Sequence, residues 1–325
     1  MAKKKSKQTK RAAGASEEIA VLVPCYNEEV TVEKVVGDFR KALPTATIYV
    51  YDNNSSDRTA ELAAKAGAIV RPAPRQGKGF AMRQMFEEID ADLYVLVDGD
   101  DTYPAEEAPG LIEKLKSSGA DMVVGSRLSE FEDASFRKFH QFGNHILTGF
   151  VSFLFRSKVT DMLSGYRVFT YRFVKSIPLE SGGFEIETEL TLQAVAKGFH
   201  IVESPIYYRK RPEGSYSKLN TWSDGLLVLK SIFIIFRYFK PMLFFGIIAA
   251  GLSVLSLLAG FRPVIEFVNE GYVHTVPSAI LASGIGVLAM LSLAVGMILD
   301  TVLRMHNENF MTMSKLIRMA RSGRE

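Results

Sequence analysis

Three carboxylates and a glycine directly follow a short apolar segment in the first third of the chain. The segment Leu93–Val97 is mostly β-prone, which predicts a buried strand, and it runs into Asp98, Gly99, Asp100 and Asp101. Open α/β sheets bind ligands at the carboxyl ends of their strands, so these acids stand where a ligand would lie. Carboxylate oxygens suit Mg²⁺ or Mn²⁺, and Mg²⁺ is usually held by one or two carboxylates together with substrate phosphates. The pattern indicates a metal site, and a solvated acidic turn is the alternative.

Two other polar clusters occur earlier in the chain. Asp52 and Asn53 follow the apolar segment Thr47–Tyr51, and Lys78 lies between two glycines before a helical pattern. A nucleotide-diphosphate sugar at this edge of the sheet would meet Asp52 or Asn53 with its base and Lys78 with its diphosphate. A metal held by the acids after Leu93–Val97 would act as a Lewis acid on the leaving diphosphate. Each residue alone is more often a turn, cap or solvated loop residue, but their order along one strand–helix series favours this chemistry.

The elements that must position these residues alternate between strand and helix. The predicted strands are Ile19–Val23, Thr47–Tyr51, Ala68–Arg71, Leu93–Val97 and Asp121–Gly125, and the predicted helices are Val30–Leu43, Arg58–Ala66, Phe80–Ile89 and Ala105–Ser117. This alternation predicts an α/β fold with a mostly parallel, doubly wound, Rossmann-like sheet. Further strands are expected at Val168–Thr170 and His200–Tyr208, and an amphipathic helix is expected within Phe131–Phe155.

A helix is also predicted over Glu185–Lys197, and it carries three glutamates near its start: Glu185, Glu187 and Glu189. Carboxylates in a first turn interact favourably with the helix dipole, which is one explanation for them. The alternative is that one of them faces a bound sugar.

The last third of the chain is strongly apolar. Met242–Phe261 and Ala279–Leu299 are uncharged and long enough to span a bilayer, and Leu226–Phe239 has the pattern of an interfacial helix. Basic residues flank both outer sides of this pair: Lys230, Arg237, Lys240, Arg304, Lys315, Arg318, Arg321 and Arg324. The positive-inside rule therefore predicts a hairpin with both ends in the cytoplasm, anchored in a bacterial inner membrane or its equivalent. Two buried core helices are the alternative.

Charge and cysteine content restrict the partners and the compartment. The formal net charge of +3 over 325 residues does not indicate nucleic acid. Residues 1–11 hold six basic side chains and no acid, which predicts a disordered tail that contacts an anionic membrane surface or only adds solubility. Cys25 is the single cysteine, so an intrachain disulfide is excluded and a reducing compartment suits the polar part. The five histidines show no zinc-ligand spacing.

The ordered motifs resemble those of family 2 glycosyltransferases of the GT-A fold. The resemblance rests on Pro24-Cys25-Tyr26-Asn27-Glu28, Asp52-Asn53-Asn54-Ser55-Ser56-Asp57, Gly77-Lys78-Gly79, Asp98-Gly99-Asp100 and Gly125-Ser126-Arg127. Asp161–Arg167 resembles the D-x-x-S-G-F/Y-R segment of the polyprenyl-phosphate branch, which includes dolichyl-phosphate mannose synthases and GtrB-type glucosyl transferases. Arg211–Lys218 resembles that branch's R-x-x-G-x-S-K segment with one extra residue. The resemblance covers residues 19–220, and the predicted hairpin fits the GtrB-type architecture.

The resemblance implies inverting transfer of a sugar from a nucleotide sugar to a polyprenyl phosphate, with Mg²⁺ or Mn²⁺. A UDP-sugar is the favoured donor and a GDP-sugar the alternative. The metal pair is then Asp98 and Asp100, and the base-binding pair is Asp52 and Asn53, where the family more often has two aspartates. The rest of the donor site is implied to comprise Pro24, Tyr26, Asn27, Glu28, Lys78, Gly99, Arg211, Ser217 and Lys218.

The resemblance also implies an acceptor site in the same domain. Arg127 is expected to meet the acceptor phosphate, with Ser126 and Arg167 beside it, and Asp161 is expected to be catalytic together with Asp100 and Arg127. A phosphate monoester is largely dianionic at neutral pH because its second pKa is about 6, so it hardly needs a general base. Asp161 is therefore expected to orient the site or balance charge, and a role as general base is the alternative.

The predicted organisation has five parts: a basic tail at 1–18, a GT-A catalytic domain at 19–220, an interfacial helix at 221–240, two transmembrane helices within 241–303 and a basic cytoplasmic segment at 304–325. The resemblance suggests a homo-oligomer. Two other functions are the alternatives. A processive membrane polysaccharide synthase would carry a Q-x-x-R-W motif, which does not occur here, and a membrane-anchored nucleotide-sugar scaffold would not need Asp98, Asp100, Arg127 and Asp161.

Overall fold

A computed structural model describes residues 17–127, 149, 159–183, 185–212, 233–234 and 236–322. The predicted basic tail, nearly all of the predicted Phe131–Phe155 helix and most of the predicted interfacial helix lie outside these residues. The chain divides into two compact units, residues 1–228 with 311–325 and residues 229–310, and each is treated by itself.

The first unit is built on a seven-stranded sheet. Its strands are β1 (Ile19–Cys25), β2 (Thr47–Asp52), β3 (Ile69–Pro72), β4 (Leu93–Leu96), β5 (Met122–Ser126), β6 (Arg167–Thr170) and β7 (Ile201–Pro205), in the spatial order β3-β2-β1-β4-β6-β5-β7. Neighbouring strands are parallel, except that β6 runs antiparallel to both β4 and β5. The predicted α/β fold with a mostly parallel sheet is therefore confirmed.

Apart from one short helix, the helices described within residues 17–212 lie where the apolar periodicity predicts them, with ends that shift by up to three residues. They are α1 (Val32–Ala42), α2 (Thr59–Lys65), α3 (Lys78–Glu88), α4 (Ala108–Ser118, after a 3₁₀ turn at Ala105–Glu107), α5 (Tyr171–Ser176) and α6 (Ile186–Ala196). Helix α1 buries Val32, Val35, Val36 and Phe39 against the sheet, which is the apolar face that its spacing defines. Helix α5 was not predicted because six residues are too short for a clear period; the Thr170 hydroxyl caps it by accepting from the Phe173 N–H at 3.3 Å.

Strand β1 continues two residues beyond its predicted end at Val23. Pro24 and Cys25 pair with Tyr51 and Asp52 of β2, whereas the pairing of β1 with β4 ends at Leu22. The Leu22 carbonyl points toward β4 and accepts from the Val97 N–H. The backbone nitrogen of Pro24, two residues later, points to the same side. Pro24 is tolerated there because no β4 partner requires its missing N–H.

The second unit contains α7 (Pro241–Glu270) and the first part of α8 (Val276–Ser322). Both helices are long and apolar enough to cross a bilayer, and only 6% and 17% of their most apolar windows are buried. They pack through small residues, with the Ser256 hydroxyl donating to the Ala282 carbonyl at 2.8 Å and the Ser292 hydroxyl donating to the Phe245 carbonyl at 3.0 Å. A transmembrane hairpin therefore fits their length, exposure and packing.

Candidate active site

The polar strand ends of the first unit meet at one edge of the sheet. Strands β1, β2 and β4 are parallel neighbours, and Cys25 at the end of β1 stands directly beside Asp52 at the end of β2. The segment Asp98–Asp101 continues from β4 on the other side of β1. The carboxyl ends of parallel strands thus bring the three predicted clusters together, as the order of the motifs indicates.

Asp98 and Asp100 each face a cationic side chain. The Lys78 ammonium lies 2.5 Å from an Asp98 carboxylate oxygen, and the Arg211 guanidinium lies 2.6 Å from an Asp100 oxygen. The second Asp100 oxygen accepts from the Thr102 hydroxyl at 2.6 Å. The two acids therefore form a polar centre that already contains two of the predicted donor-binding cations.

Gly99 is required between these acids by close packing. A Cβ at this position would lie 2.6 Å from the Cys25 Sγ atom, and the Gly99 carbonyl accepts from the Thr31 hydroxyl at 2.6 Å. Gly165, in the segment just before β6, plays a similar part, because a Cβ there would lie 2.4 Å from an Asp98 oxygen. Backbone thus approaches the acids where side chains would not fit.

Lys78 contacts a second carboxylate, that of Glu187 in the first turn of α6. Burial by itself would lower the pKa of Lys78, but the adjacent Asp98 and Glu187 carboxylates raise it well above its ordinary value. Lys78 therefore stays charged in the site. The sequence drew attention to Glu187 only as one of three glutamates at a helix start, since nothing in a sequence links residues 78 and 187.

Asp52 and Asn53 have different environments. One Asp52 side-chain oxygen is buried and has no hydrogen-bond partner among the described residues. The Asn53 amide is fully engaged: its N–H groups donate to the Ala73 and Arg75 carbonyls at 2.8 and 2.7 Å, and its oxygen accepts from the Gly77 N–H at 2.7 Å. Asp52 is half-buried as a residue, whereas Asn53 is buried and holds the loop that leads to Lys78.

The turn after β1 is fastened to the turn after β2. Asn27, with φ of 52°, accepts from the Ser56 N–H at 2.8 Å and donates its own N–H to the Ser55 hydroxyl at 2.9 Å. The Glu28 N–H donates to the Thr59 hydroxyl at 2.8 Å. Tyr26 keeps about a third of its side-chain surface exposed in the same turn. Pro24, Tyr26, Asn27 and Glu28 therefore lie next to β2 and the turn that follows it, and their contact with a donor stays a prediction.

Arg127 and Asp161 form a two-pronged ion pair. The Arg127 Nε and Nη2 atoms donate to the two Asp161 oxygens, each at 2.9 Å, and the Arg127 backbone N–H adds a third bond at 3.1 Å. Asp161 is fully buried, while the Arg127 side chain keeps 22% of its surface exposed. Burial would raise the pKa of Asp161, but the Arg127 charge and its hydrogen bonds lower it overall. Asp161 thus orients Arg127 and is a weak proton acceptor.

The predicted contact between Arg167 and an acceptor phosphate is wrong in this structure. Arg167 is fully buried, and its guanidinium donates to the Ser164 and Met162 carbonyls and to the Thr191 hydroxyl at 2.8 to 2.9 Å. Burial lowers its pKa to about 10. Arg167 supports the Asp161–Gly165 segment from inside the core, because its guanidinium bonds the Met162 and Ser164 carbonyls and has no exposed surface for a phosphate. Ser126 is buried at the end of β5, next to Arg127.

Two predicted donor-site residues, Ser217 and Lys218, lie outside the described residues. Arg211 is described, and its neighbour Arg209 donates its backbone N–H to the Thr102 carbonyl at 2.9 Å. The Arg209 guanidinium also pairs with Glu106 and lies 3.6 Å from Asp101. The chain after β7 is therefore fastened to the acidic segment after β4.

The acidic pair offers the type of ligand atom that a divalent metal such as Mg²⁺ prefers. Asp98 and Asp100 supply hard oxygens, and the cations drawn to them show that the position favours positive charge. Among the described residues, no group of three or more histidine, cysteine or acidic side chains could hold a metal by itself. A metal here would therefore take its other ligands from phosphates and water, as Mg²⁺ usually does.

A mostly parallel sheet with two aspartates at the carboxyl edge of its central strands defines a GT-A-like glycosyltransferase domain. The family model described as Glycosyl transferase family 2 matches residues 20–177, and the chain belongs to this family. Glycosyltransferase AglJ of Haloferax volcanii is 30% identical over 299 residues, which cover 92% of this chain and 98% of that protein. A dolichyl-phosphate hexose transferase of the same organism is 31% identical over 217 residues, covering 66% of this chain and 92% of that protein.

A solved structure shares the fold at lower identity. Glucosyl-3-phosphoglycerate synthase from Mycobacterium tuberculosis, in complex with Mn²⁺ and uridine-diphosphate-glucose, superposes with a TM-score of 0.54 and 21% identity. The match covers 68% of this chain and 79% of that one. The predicted GT-A architecture is thereby confirmed. Membership in family 2, and with it the glycosyltransferase class, is confirmed by the family model and by AglJ.

Proposed function

We propose that this protein transfers a sugar, with inversion, from a nucleotide-diphosphate sugar to a polyprenyl phosphate in the membrane, giving a polyprenyl monophosphate sugar. The observation that carries the proposal is the cluster of Asp98, Asp100, Lys78 and Arg211 at the sheet edge. Two acids that would bind a metal and two cations that would bind a diphosphate lie at one place. The names of two relatives, a dolichyl-phosphate hexose transferase and an undecaprenyl-phosphate mannosyltransferase from Micrococcus luteus, support the acceptor class.

The donor base would bind at the end of β2. Asp52 is half-buried at this edge, and one of its two carboxylate oxygens is closed off by the protein. Its other oxygen would accept from an N–H on the pairing edge of a uracil or guanine. The solved structure with uridine-diphosphate-glucose makes a UDP-sugar the first donor to test, with a GDP-sugar as the alternative.

The donor phosphates would lie between Lys78 and Arg211. Both cations reach the acidic pair from different elements, α3 and the chain after β7, so they can contact a diphosphate from two sides. A metal bound by Asp98 and Asp100 would supply Lewis-acid stabilisation of the leaving diphosphate. The Lys78 and Arg211 charges add to this stabilisation without requiring a proton transfer.

The acceptor phosphate would meet Arg127. A guanidinium held by Asp161 on two of its nitrogens keeps a fixed orientation, which suits recognition of a planar or tetrahedral anion. A dianionic phosphate is already a competent nucleophile at neutral pH, so the step needs no general base. Asp161 accordingly serves orientation, with its proton affinity lowered by Arg127.

The apolar hairpin would hold the enzyme at the membrane that carries the acceptor. Its two helices expose apolar side chains along most of their length, and basic residues flank the outer ends. These features support a hairpin with both ends in the cytoplasm. A homo-oligomer is part of the proposal by resemblance alone.

A donor-panel assay tests the proposal. The full-length protein in detergent is supplied with Mn²⁺, a polyprenyl phosphate and, one at a time, UDP- and GDP-sugars, and nucleotide release and lipid-linked sugar are measured. We expect one donor to be consumed with equal amounts of both products. Nucleotide release with the sugar incorporated into a polymer would favour a processive synthase, and nucleotide-sugar binding without any release would favour the scaffold. Either result overturns the proposal.

A further inference from the structure

Glu187 places a buried carboxylate inside the site, although it belongs to none of the motifs that define the site. It lies in the first turn of α6, is 4% exposed and contacts the Lys78 ammonium. A buried acid is costly unless it is paired, so this contact is built into the fold. Glu187 is the only one of the three glutamates at this helix start with a described contact to Lys78.

Lys78 is shared between two carboxylates from different parts of the chain. Asp98 follows β4, whereas Glu187 starts α6, 109 residues after Lys78. An ammonium has three N–H donors, so two carboxylates leave a third for a phosphate oxygen. Because Glu187 is not one of the predicted metal ligands, it can anchor Lys78 whatever Asp98 binds.

The backbone around this pair is fastened from both sides. The Gly79 N–H donates to the Gly182 carbonyl at 3.1 Å, which joins the start of α3 to the loop before α6. Glu189 holds the same loop by accepting from the Glu180 and Ser181 N–H groups at 2.9 and 2.8 Å. Gly77 and Gly79 allow this approach, since a Cβ on either would lie 2.1 Å from a carbonyl oxygen of the loop. The two elements therefore hold Glu187 and Lys78 at a fixed separation.

We infer that Glu187 is a positioning residue that fixes the Lys78 ammonium for the phosphates of the nucleotide. This inference rests on the proposed function only in taking a nucleotide as the ligand. An unanchored lysine is a flexible point charge on a four-carbon stem and loses conformational freedom whenever it binds. Glu187 removes that loss in advance, so its contribution to nucleotide binding acts through Lys78. Its charge also acts on the buried Arg167 guanidinium, where it raises the pKa that burial lowers.

A double-mutant cycle tests this assignment. Binding of UDP and of GDP, each with Mn²⁺, is measured by calorimetry for the wild type, Glu187→Gln, Lys78→Gln and the double variant. We expect each single variant to bind the preferred nucleotide about tenfold more weakly or worse. We expect the double variant to bind no more weakly than Lys78→Gln, because Glu187 has no partner to position once the ammonium is gone. If Glu187 only supported the fold, the double variant would bind the nucleotide more weakly than Lys78→Gln does.

Glu185→Gln is the matched control, since it removes the same charge from an exposed position at the same helix start. Its nucleotide affinity should equal that of the wild type. If Glu187→Gln does not fold, as judged by its thermal midpoint, Glu187→Asp keeps the charge but withdraws the oxygen, and it should also weaken binding. Wild-type affinity in the Glu187 variant, or independent losses in the double variant, would overturn the inference. A wild type that binds neither nucleotide would overturn the proposed function and this inference with it.

Discussion

At the scale of single residues, the Arg127–Asp161 pair joins a partly exposed guanidinium to a fully buried carboxylate, and its removal should be measurable in stability. In Asp161→Asn the guanidinium loses its counter-charge, and breaking one partner of a buried pair costs about 3–5 kcal/mol. Denaturant unfolding at neutral pH measures this loss. Asp90→Asn removes an exposed acid 3.1 Å from Lys175 and should cost less than about 1 kcal/mol, as surface pairs do. Equal effects of the two variants would contradict a structural role for Asp161.

The same pair predicts a pH dependence of stability. Because the pKa of Asp161 is lowered in the folded protein, its stabilising contribution is fully present above the unfolded value of about 4. The contribution is lost as the pH falls through the lower, folded pKa. We therefore expect the wild type to lose unfolding free energy more steeply than Asp161→Asn below about pH 4, measured by denaturant titration at each pH. Parallel curves for the two proteins would exclude this linkage.

Asn53 shows how an amide differs from a carboxylate at one position. Asn53→Asp would remove the donors for the Ala73 and Arg75 carbonyls, at a cost of about 1–3 kcal/mol for each buried acceptor left unpaired. The loop before Lys78 would also lose its anchor, so nucleotide affinity should fall together with the thermal midpoint. Asn54→Asp is the matched control, because Asn54 is exposed and donates only to the Pro74 carbonyl. A larger effect at Asn54 would refute the assigned role of Asn53.

At the scale of elements, the turn Gly77-Lys78-Gly79 depends on its glycines. Gly77 has φ of 132°, and a Cβ there or at Gly79 would lie 2.1 Å from a backbone oxygen. Gly77→Ala and Gly79→Ala should therefore displace the start of α3 and weaken nucleotide binding by at least about tenfold, a penalty of about 1.4 kcal/mol, in calorimetry. Gly37→Ala, inside α1 with open space around it, should leave binding unchanged and raise stability by up to about 1 kcal/mol. Unchanged binding in the turn variants would mean that the loop can shift to accommodate a Cβ, and it would contradict the requirement for these glycines.

The elements also show what a sequence can and cannot predict here. Strands β1, β2 and β4 and their polar ends were predictable because period-two and apolar runs are local signals and parallel strands align their carboxyl ends. The contact between Lys78 and Glu187 was not predictable, because it depends on how α6 returns to the sheet edge. The predicted phosphate contact of Arg167 was wrong for a related reason, since a motif match cannot distinguish an arginine that contacts a ligand from one that is buried in the core. Burial and partner choice are properties of the packed chain rather than of the motif.

At the scale of the whole molecule, the chain joins a polar catalytic unit to a hairpin that is unsuited to water. Side chains such as Leu257, Leu258 and Val268 are 70–75% exposed on α7. Apolar patches of this extent are rare on soluble monomers and indicate a membrane or partner surface. The paired serines and glycines between α7 and α8 fit packing within a bilayer, where small residues allow close approach of helices. The hairpin is thus best understood as an anchor rather than as part of a core.

The orientation of this anchor is the last prediction. The turn between α7 and α8 holds few charges, whereas both outer ends are basic, so the turn should face away from the cytoplasm. Cys25 is the single cysteine and is buried, which gives the wild type a low background with a thiol reagent. In intact cells, a membrane-impermeant maleimide should label Tyr272→Cys, in the exposed turn, and should not label Met305→Cys, beyond the second apolar stretch. In inverted membrane vesicles the pattern should reverse.

Labelling of both variants from the same side would rule out a hairpin that crosses the membrane and returns. The reverse pattern in intact cells would place the catalytic unit outside the cytoplasm, away from cytoplasmic nucleotide sugars.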